Sequence, residues 1–163
     1  MNLAEERKYA ADQMALVAQA GIPYGPSYRN GYAYLMPGGW LAQGSAPPPG
    51  VRIPFDVVVL AAQEYQDLQG PYEVIRVPLD DGPMPDPLTR ARIRSAAREI
   101  ARRVRNGQRV LVTCWQGRNR SGVLAGLALV ELGLHPQRAI NRIRRYRNGL
   151  TNDHFRAMVE GKL

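Results

Sequence analysis

The sequence predicts an α/β fold in which a central, mostly parallel sheet is flanked by helices in a single compact domain. The length of 163 residues suits one domain. Residues 55–61 are a continuous apolar run with three valines, which is typical of a strand buried on both faces of a parallel sheet, and residues 110–114 are a second apolar run that predicts a strand. Residues 88–105 lie between these runs and carry apolar side chains at helical spacing. Strands that alternate with helices favour a parallel sheet.

The first predicted element is an amphipathic helix over residues 3–20, which ends at a segment rich in Gly and Pro. Residues 1–25 would then form a helical N-terminal extension of a domain that spans residues 1–163. Two short strands are expected within the following turn-rich segment, near residues 32–35 and 40–43.

The middle of the chain continues the sheet. Residues 74–77 predict a further strand, and the segment 78–87 is dense in Pro and Gly and predicts a loop. Asp86 followed by Pro87 is typical of a helix N-cap and a first helical residue. The helix is therefore expected to run from Leu88 to Arg105.

The C-terminal third predicts three helices. Residues 123–132 are nearly all apolar and indicate a core helix, and Pro136 begins another helix that ends at Arg147. The last segment begins at Thr151 with capping residues. The side chains expected to face the core are Ala139, Ile143, Tyr146, Phe155, Met158 and Val159.

Charge restricts the classes of partner. The sequence has 22 Lys and Arg against 14 Asp and Glu, a formal charge of +8, and a positive field favours anionic ligands. A GC-rich genome would produce the same arginine excess without any ligand, so both interpretations stay open. Arginine rows over residues 90–105 and 138–147 could bind nucleic acid, but such rows are typical of the solvated face of a helix. The sequence therefore does not favour a nucleic-acid partner.

The single cysteine and the N-terminal region indicate the cellular setting. Cys114 has no second cysteine to pair with, which suits a reducing compartment. The N-terminus lacks the apolar segment of a signal peptide, and the longest apolar stretches are too short to span a bilayer. One cysteine and two histidines offer no metal-ligand spacing. We expect a cytoplasmic monomer with no membrane span, metal or cofactor.

Residues 114–121, hereafter the Cys114 loop, carry the pattern C-x-x-G-x-x-R-S between a strand and a helix. Each fixed residue suits a loop that wraps a tetrahedral oxyanion. Cys114 is a nucleophile whose thiolate the loop N–H groups and the helix dipole would stabilise. Gly117 lets the backbone turn so that N–H groups form an anion nest. Arg120 can hold two oxygens with its planar fork, and Ser121 can cap the helix and offer its hydroxyl to the sulfur.

From Trp40 to Phe155 the sequence resembles the cysteine-based protein tyrosine phosphatase superfamily, and within it the dual-specificity phosphatases. The resemblance implies a phosphatase-like domain and a phosphocysteine mechanism in which Cys114 is the nucleophile, Arg120 clamps the phosphate, and an upstream aspartate is the general acid. One departure is Thr113, because the family usually has His before the cysteine, where it helps to order the loop. The residues expected to bind phosphate are Trp115, Gln116, Gly117, Arg118, Asn119 and Arg120.

The general acid is expected in the loop after residues 74–77. The resemblance places it at Asp81, which follows Val-Pro-Leu-Asp at 77–80, and Asp80 is the alternative. Asp86 is better explained as a helix cap. Solvated turn aspartates without a catalytic part are the remaining interpretation.

The sequence favours a phosphatase for phosphotyrosine, phosphoserine or phosphothreonine in proteins. Arg118 adds charge beside the reacting phosphate and keeps open a phosphoinositide or another polyphosphate, although Trp115 occupies a position that is often basic in lipid phosphatases. Thr113 keeps open a catalytically weak phosphate-binding relative. A sulfur-transfer or arsenate-reducing enzyme is disfavoured, because Gly117, Arg120 and Ser121 occur together with an acid loop.

Overall fold

A five-stranded sheet forms the centre of the computed structural model, which describes residues 31–48, 50, 52–64 and 66–163. Its strands are β1 (Tyr32–Tyr34), β2 (Leu41–Ser45), β3 (Val57–Ala62), β4 (Glu73–Leu79) and β5 (Val110–Cys114). The strand order is β1-β2-β5-β3-β4, with β1 antiparallel to β2 and the other pairs parallel. The mostly parallel sheet is therefore confirmed, whereas the predicted helix over residues 3–20 lies outside the described residues.

The described part of the chain has four α-helices: α1 (Pro87–Arg105), which lies between β4 and β5 in the sequence, and α2 (Arg120–Glu131), α3 (Pro136–Arg147) and α4 (Asp153–Glu160), which follow β5. All four contribute to one apolar cluster, which includes Val57 and Val59 of β3. The alternate residues of that strand, Val58 and Leu60, belong to a second cluster built from strands and loops. Because successive strand residues face opposite sides, β3 is buried on both faces, as its continuous apolar run predicted.

The start of α1 confirms the predicted N-cap. Asp86 Oδ1 accepts a hydrogen bond of 2.7 Å from the backbone N–H of Thr89, and Pro87 is the first helical residue. This bond satisfies one of the N–H groups that a helix leaves without an internal partner at its N-terminus. The cap also ends the loop that carries Asp80 and Asp81.

Two details of the helices differ from the sequence prediction. Helix α2 begins at Arg120 rather than Val123, so the end of the Cys114 loop is already helical. On α3, Tyr146 is 46% exposed, whereas Arg147 is 6% exposed. Ala139, Ile143 and Arg147 are spaced four residues apart and share one helix face, and Tyr146 lies outside that face.

The parallel strands end together at one edge of the sheet. Ser45 of β2 is in register with Cys114 of β5, and Leu60 of β3 is in register with Thr113. Carboxyl ends of parallel strands form the edge at which α/β proteins bind ligands. The topology therefore places the Cys114 loop beside the ends of β2 and β3.

Candidate active site

The Cys114 loop connects β5 to α2 at this edge. Cys114 is the last residue of β5 and is 2% exposed, whereas the side chains of Trp115 and Gln116 are exposed. Gly117 has a φ of 68°, and a Cβ placed on it would lie 2.5 Å from Arg147 Nη2 and from the backbone carbon of Gly44. Only glycine fits there, because both the backbone angle and the close approach exclude a side chain.

Three consecutive carbonyls of the loop are bound by donors from other elements. Arg147 donates from Nη2 to Gln116 O and from Nε to Gly117 O, both at 3.2 Å. Gln43 Nε2 donates to Gly117 O at 3.1 Å and to Arg118 O at 3.3 Å. The backbone N–H of Leu150 also donates to Arg118 O at 3.3 Å.

These bonds determine which way the loop's amide groups point. A trans peptide unit holds its N–H and C=O on opposite sides, so the N–H groups of Gly117, Arg118 and Asn119 face away from Arg147 and Gln43. Successive N–H groups on one side of a loop form an anion-binding concavity. The geometry is therefore that of a loop built to accept an oxyanion.

Cys114 and Ser121 are in direct contact. The Sγ of Cys114 lies 3.2 Å from the Oγ of Ser121, which is fully buried and also accepts a 3.1 Å hydrogen bond from Gln43 Nε2. The expectation that Ser121 caps α2 is wrong. The cap position is Asn119, whose side chain makes no cap bond, because α2 begins two residues earlier than a serine cap requires.

Two acceptors bind the Nη1 group of Arg120. The residue is 7% exposed, and its Nη1 donates to Glu64 Oε2 at 2.9 Å and to Leu79 O at 3.4 Å. Its buried Nε has no hydrogen-bond partner within the described part of the chain. A backbone hydrogen bond is the largest influence on Glu64 and lowers the pKa of its carboxyl group; burial opposes this, and Arg120 lowers the pKa further. An orphaned buried donor on a cation is suited to an anionic ligand.

Asp81 docks on the Cys114 loop, whereas Asp80 does not. Asn119 Nδ2 donates to Asp81 Oδ2 at 3.2 Å, and Asn152 Nδ2 donates to Asp81 Oδ1 at 3.0 Å. Asn119 is fixed in turn, since its Oδ1 accepts from Thr151 Oγ1 and from the backbone N–H of Asn152. No ion pair within the described ranges joins Asp80 to Arg118.

Thr113 serves the sheet rather than the loop. Its buried Oγ1 donates to Val59 O of the neighbouring strand at 2.8 Å. The position at which the resembled family has a loop-ordering His is thus occupied by a side chain directed to β3. In this chain Gln43 and Arg147 bind the loop instead.

Cations dominate the charge at the site. Burial lowers the pKa of Arg147, the nearby charge of Arg118 acts in the same direction, and Cys114 acts in the opposite direction. The buried Nε of Arg118 has no hydrogen-bond partner in the part of the chain that is described. Together with Arg120, these guanidinium groups make the surroundings of the thiol strongly positive.

The sequence did not identify four residues that shape the site: Gln43, Glu64, Arg147 and Asn152. Helical spacing could have found Arg147, because it lies four residues after Ile143 on the buried face. A glutamine within an otherwise apolar strand could have indicated Gln43, since a buried amide needs partners. Glu64 has no comparable local signal. The capping residues from Thr151 predicted a helix start at Asn152 but not its contact with Asp81.

The described residues contain no group of three or more His, Cys, Asp or Glu that could hold a metal ion. None of the helices in this part of the chain is both long and apolar enough to cross a bilayer.

Comparisons with known proteins identify the fold. No protein-family model matches the chain, and no curated protein matches its sequence. A mouse dual specificity phosphatase complexed with zinc tungstate has a TM-score of 0.70 at 24% identity, covering 81% of this chain and 86% of its own. Human DUSP28 has a TM-score of 0.69 at 23% identity, covering 81% and 92%. PTPMT1 in complex with PI(5)P has a TM-score of 0.65 at 17% identity, covering 81% and 94%. The chain has the dual specificity phosphatase fold, as the resemblance implied.

Proposed function

We propose that this chain is a cysteine-dependent phosphatase that hydrolyses phosphomonoesters through a phosphocysteine intermediate on Cys114. The observation that carries the proposal is the Cys114 loop itself. Its carbonyls are bound on one side and its N–H groups face the other. The buried Nε of Arg120 has no hydrogen-bond partner among the described residues. A dianionic phosphoryl group supplies the charge and the acceptors that this arrangement lacks.

In the first step the Cys114 thiolate attacks phosphorus, an S–P bond forms, and the P–O bond to the leaving group breaks. Arg120 and the loop N–H groups hold the equatorial oxygens, where negative charge is concentrated. Asp81 gives its proton to the leaving oxygen, so that an alcohol departs rather than an alkoxide.

In the second step water attacks the phosphocysteine, and Asp81, now a carboxylate, accepts a proton from that water. The S–P bond breaks, inorganic phosphate is released, and the Cys114 thiolate is restored. The Ser121 hydroxyl, 3.2 Å from the sulfur, donates a hydrogen bond to the departing thiolate.

We propose phosphotyrosine, phosphoserine or phosphothreonine in proteins as the leading substrate class. The buried Nε of Arg118 has no partner in the described ranges. It favours a second candidate, a phosphoinositide or another polyphosphate, because an additional phosphate could accept a hydrogen bond from that donor. The likeness to PTPMT1 in complex with PI(5)P is compatible with this candidate. A panel of phosphopeptides and soluble phosphoinositides distinguishes the two.

The decisive experiment for the function compares the protein with its Cys114→Ser variant. We expect turnover of p-nitrophenyl phosphate in the unmodified protein and none in Cys114→Ser, whereas both bind vanadate. Turnover in the variant would contradict the covalent mechanism. Vanadate binding without turnover in the unmodified protein would instead support a catalytically weak phosphate-binding protein.

A further inference from the structure

We propose that Gln43 is a positioning residue of the site, which aims the Ser121 hydroxyl at the Cys114 sulfur and keeps the loop carbonyls turned away from the anion. The inference rests on the proposed function only where it concerns the rate of turnover. The ionisation of the Cys114 thiol and the shape of the loop can be measured without turnover.

Gln43 is a buried polar residue in the middle of β2. The residue is 0% exposed, and its strand is buried along its whole length. Its Oε1 has no hydrogen-bond partner within the described ranges, whereas its Nε2 has three acceptors within 3.3 Å. A buried acceptor without a partner costs stability. Packing alone would therefore favour an apolar side chain, and the amide's contribution lies in its donors.

The first consequence concerns the direction of the Ser121 hydroxyl. Gln43 Nε2 lies 3.1 Å from Ser121 Oγ and occupies one of its lone pairs. The hydroxyl proton is thereby left to point elsewhere, and Cys114 Sγ lies 3.2 Å away. When Cys114 is a thiolate it can only accept, so the Ser121 hydroxyl must be the donor. Gln43 thus orients the group that stabilises the nucleophile.

The second consequence concerns the loop backbone. The same Nε2 reaches Gly117 O and Arg118 O, from a residue more than 70 positions earlier in the chain. If either carbonyl turned toward the anion, its oxygen would repel the phosphate. The N–H group of the following residue would then point away and could no longer donate to the phosphate. Gln43 holds both carbonyls on the far side. Thr113 cannot share this task, because its hydroxyl is bound to Val59 O.

The test uses alkylation of Cys114, the only cysteine in the chain. In Gln43→Met, which keeps the length of the side chain and removes its donors, we expect the pH profile for iodoacetamide alkylation to move up by about one unit. Alkylation below the midpoint would then be about tenfold slower. The charged groups of the site, Asp81, Glu64, Arg118, Arg120 and Arg147, are unchanged in the variant. A profile that does not move would contradict the proposal.

A double-mutant cycle tests whether Gln43 acts through Ser121. In a Ser121→Ala background we expect Gln43→Met to change the alkylation rate by less than about twofold, because the hydroxyl it orients is gone. A full tenfold effect in that background would show that Gln43 does not act through Ser121, and would overturn that part of the proposal. Vanadate affinity reports the loop separately and should fall in Gln43→Met in both backgrounds.

Stability controls separate positioning from folding. Gln43→Leu is a second variant, and for both we expect Tm to stay close to that of the unmodified protein, because the unpartnered Oε1 is removed with the donors. Tyr72→Phe is a control in the cluster on the other side of the sheet, and it removes a hydroxyl that donates to Gln69 O at 3.3 Å. Its alkylation profile should not move. If neither Gln43 variant folds, Gln43 is a structural residue and the proposal is wrong.

The outcomes distinguish this inference from the proposed function. If the protein has no phosphatase activity but its alkylation profile still moves in Gln43→Met, the positioning role is supported and the proposed function is wrong. If the protein is an active phosphatase but its alkylation profile and vanadate affinity are unchanged in Gln43→Met, the proposed function is supported and the positioning role is wrong.

Discussion

The adjacent residues Asp80 and Asp81 differ in what their side chains contact. Asp81 accepts hydrogen bonds from Asn119 and Asn152, which hold its carboxyl group against the Cys114 loop. Asp80 is exposed and lines a cavity of about 600 Å³ between its loop and the start of α1. Position therefore favours Asp81 over Asp80 as the proton donor.

This difference makes a prediction about leaving groups. A general acid contributes about 10²–10⁴-fold when the leaving oxygen needs a proton. Asp81→Asn should therefore reduce kcat by roughly that factor with an alkyl phosphate, and much less with p-nitrophenyl phosphate, whose leaving group departs readily as an anion. Asp80→Asn is the matched control and should affect the two substrates equally and weakly. A larger loss on alkyl phosphate in Asp80→Asn would move the assignment to Asp80.

The sequence predicts contacts between neighbouring residues better than contacts between residues on different strands. Cys114, Gly117, Arg120 and Ser121 are close in sequence, so their spacing alone predicted a loop that could bind an oxyanion. Gln43 contacts the same loop from another strand, and no local pattern relates it to residues more than 70 positions away. Such a partnership exists only once β2 and β5 pair in register.

At the scale of elements, local patterns predicted most helices and strands because each element carries its own signal. Continuous valines indicated β3, and Asp86 with Pro87 indicated the start of α1. The start of α2 was predicted too late, because the polar residues Arg120 and Ser121 look like loop. Both residues are buried in the site, so the first turn of this core helix can be polar. Only the tertiary structure shows this burial.

Asn152, at the start of α4, has two functions that substitutions can separate. Asn152 Oδ1 caps the helix by accepting from the N–H groups of His154 and Phe155, while its Nδ2 donates to Asp81. Asn152→Ser keeps a capping oxygen and removes the donor, so Tm should change little while kcat on an alkyl phosphate falls roughly three- to tenfold.

The matched variant for this prediction is Asn152→Ala, which removes both functions. It should lose activity similarly and also lower Tm by roughly 2–4 °C, as expected for a lost cap in a protein of this size. Thermal unfolding and steady-state kinetics on the same preparations check both effects. Full activity in Asn152→Ser would show that the contact with Asp81 has no part in catalysis.

Charge is unevenly distributed over the whole molecule. On α1, Arg102 and Arg103 pair with Glu99, and these contacts lower the pKa of Glu99 to about 2. Helix α3 contains five arginines and no acidic residue. Arg138, Arg144 and Arg145 make no ion pair in the described part of the chain. The C-terminal end of α3 reaches the Cys114 loop through Arg147, so this cationic helix adjoins the site.

This distribution predicts that salt weakens the capture of anionic substrates. With a formal charge of +8, the field attracts a phosphate ester over distances comparable to the Debye length, which falls from about 30 Å at 0.01 M to about 3 Å at 1 M salt. Between those concentrations of sodium chloride, kcat/KM should fall roughly tenfold while kcat stays nearly constant, because the field acts on approach rather than on the chemical step. Alkylation of Cys114 by iodoacetamide, at a pH on the upper plateau of its pH profile where screening cannot change the thiolate fraction, is the control, since a neutral reagent is not steered and should react at a rate that salt leaves unchanged. An equal salt dependence for the neutral reagent and the phosphate ester would instead indicate that salt alters the site itself.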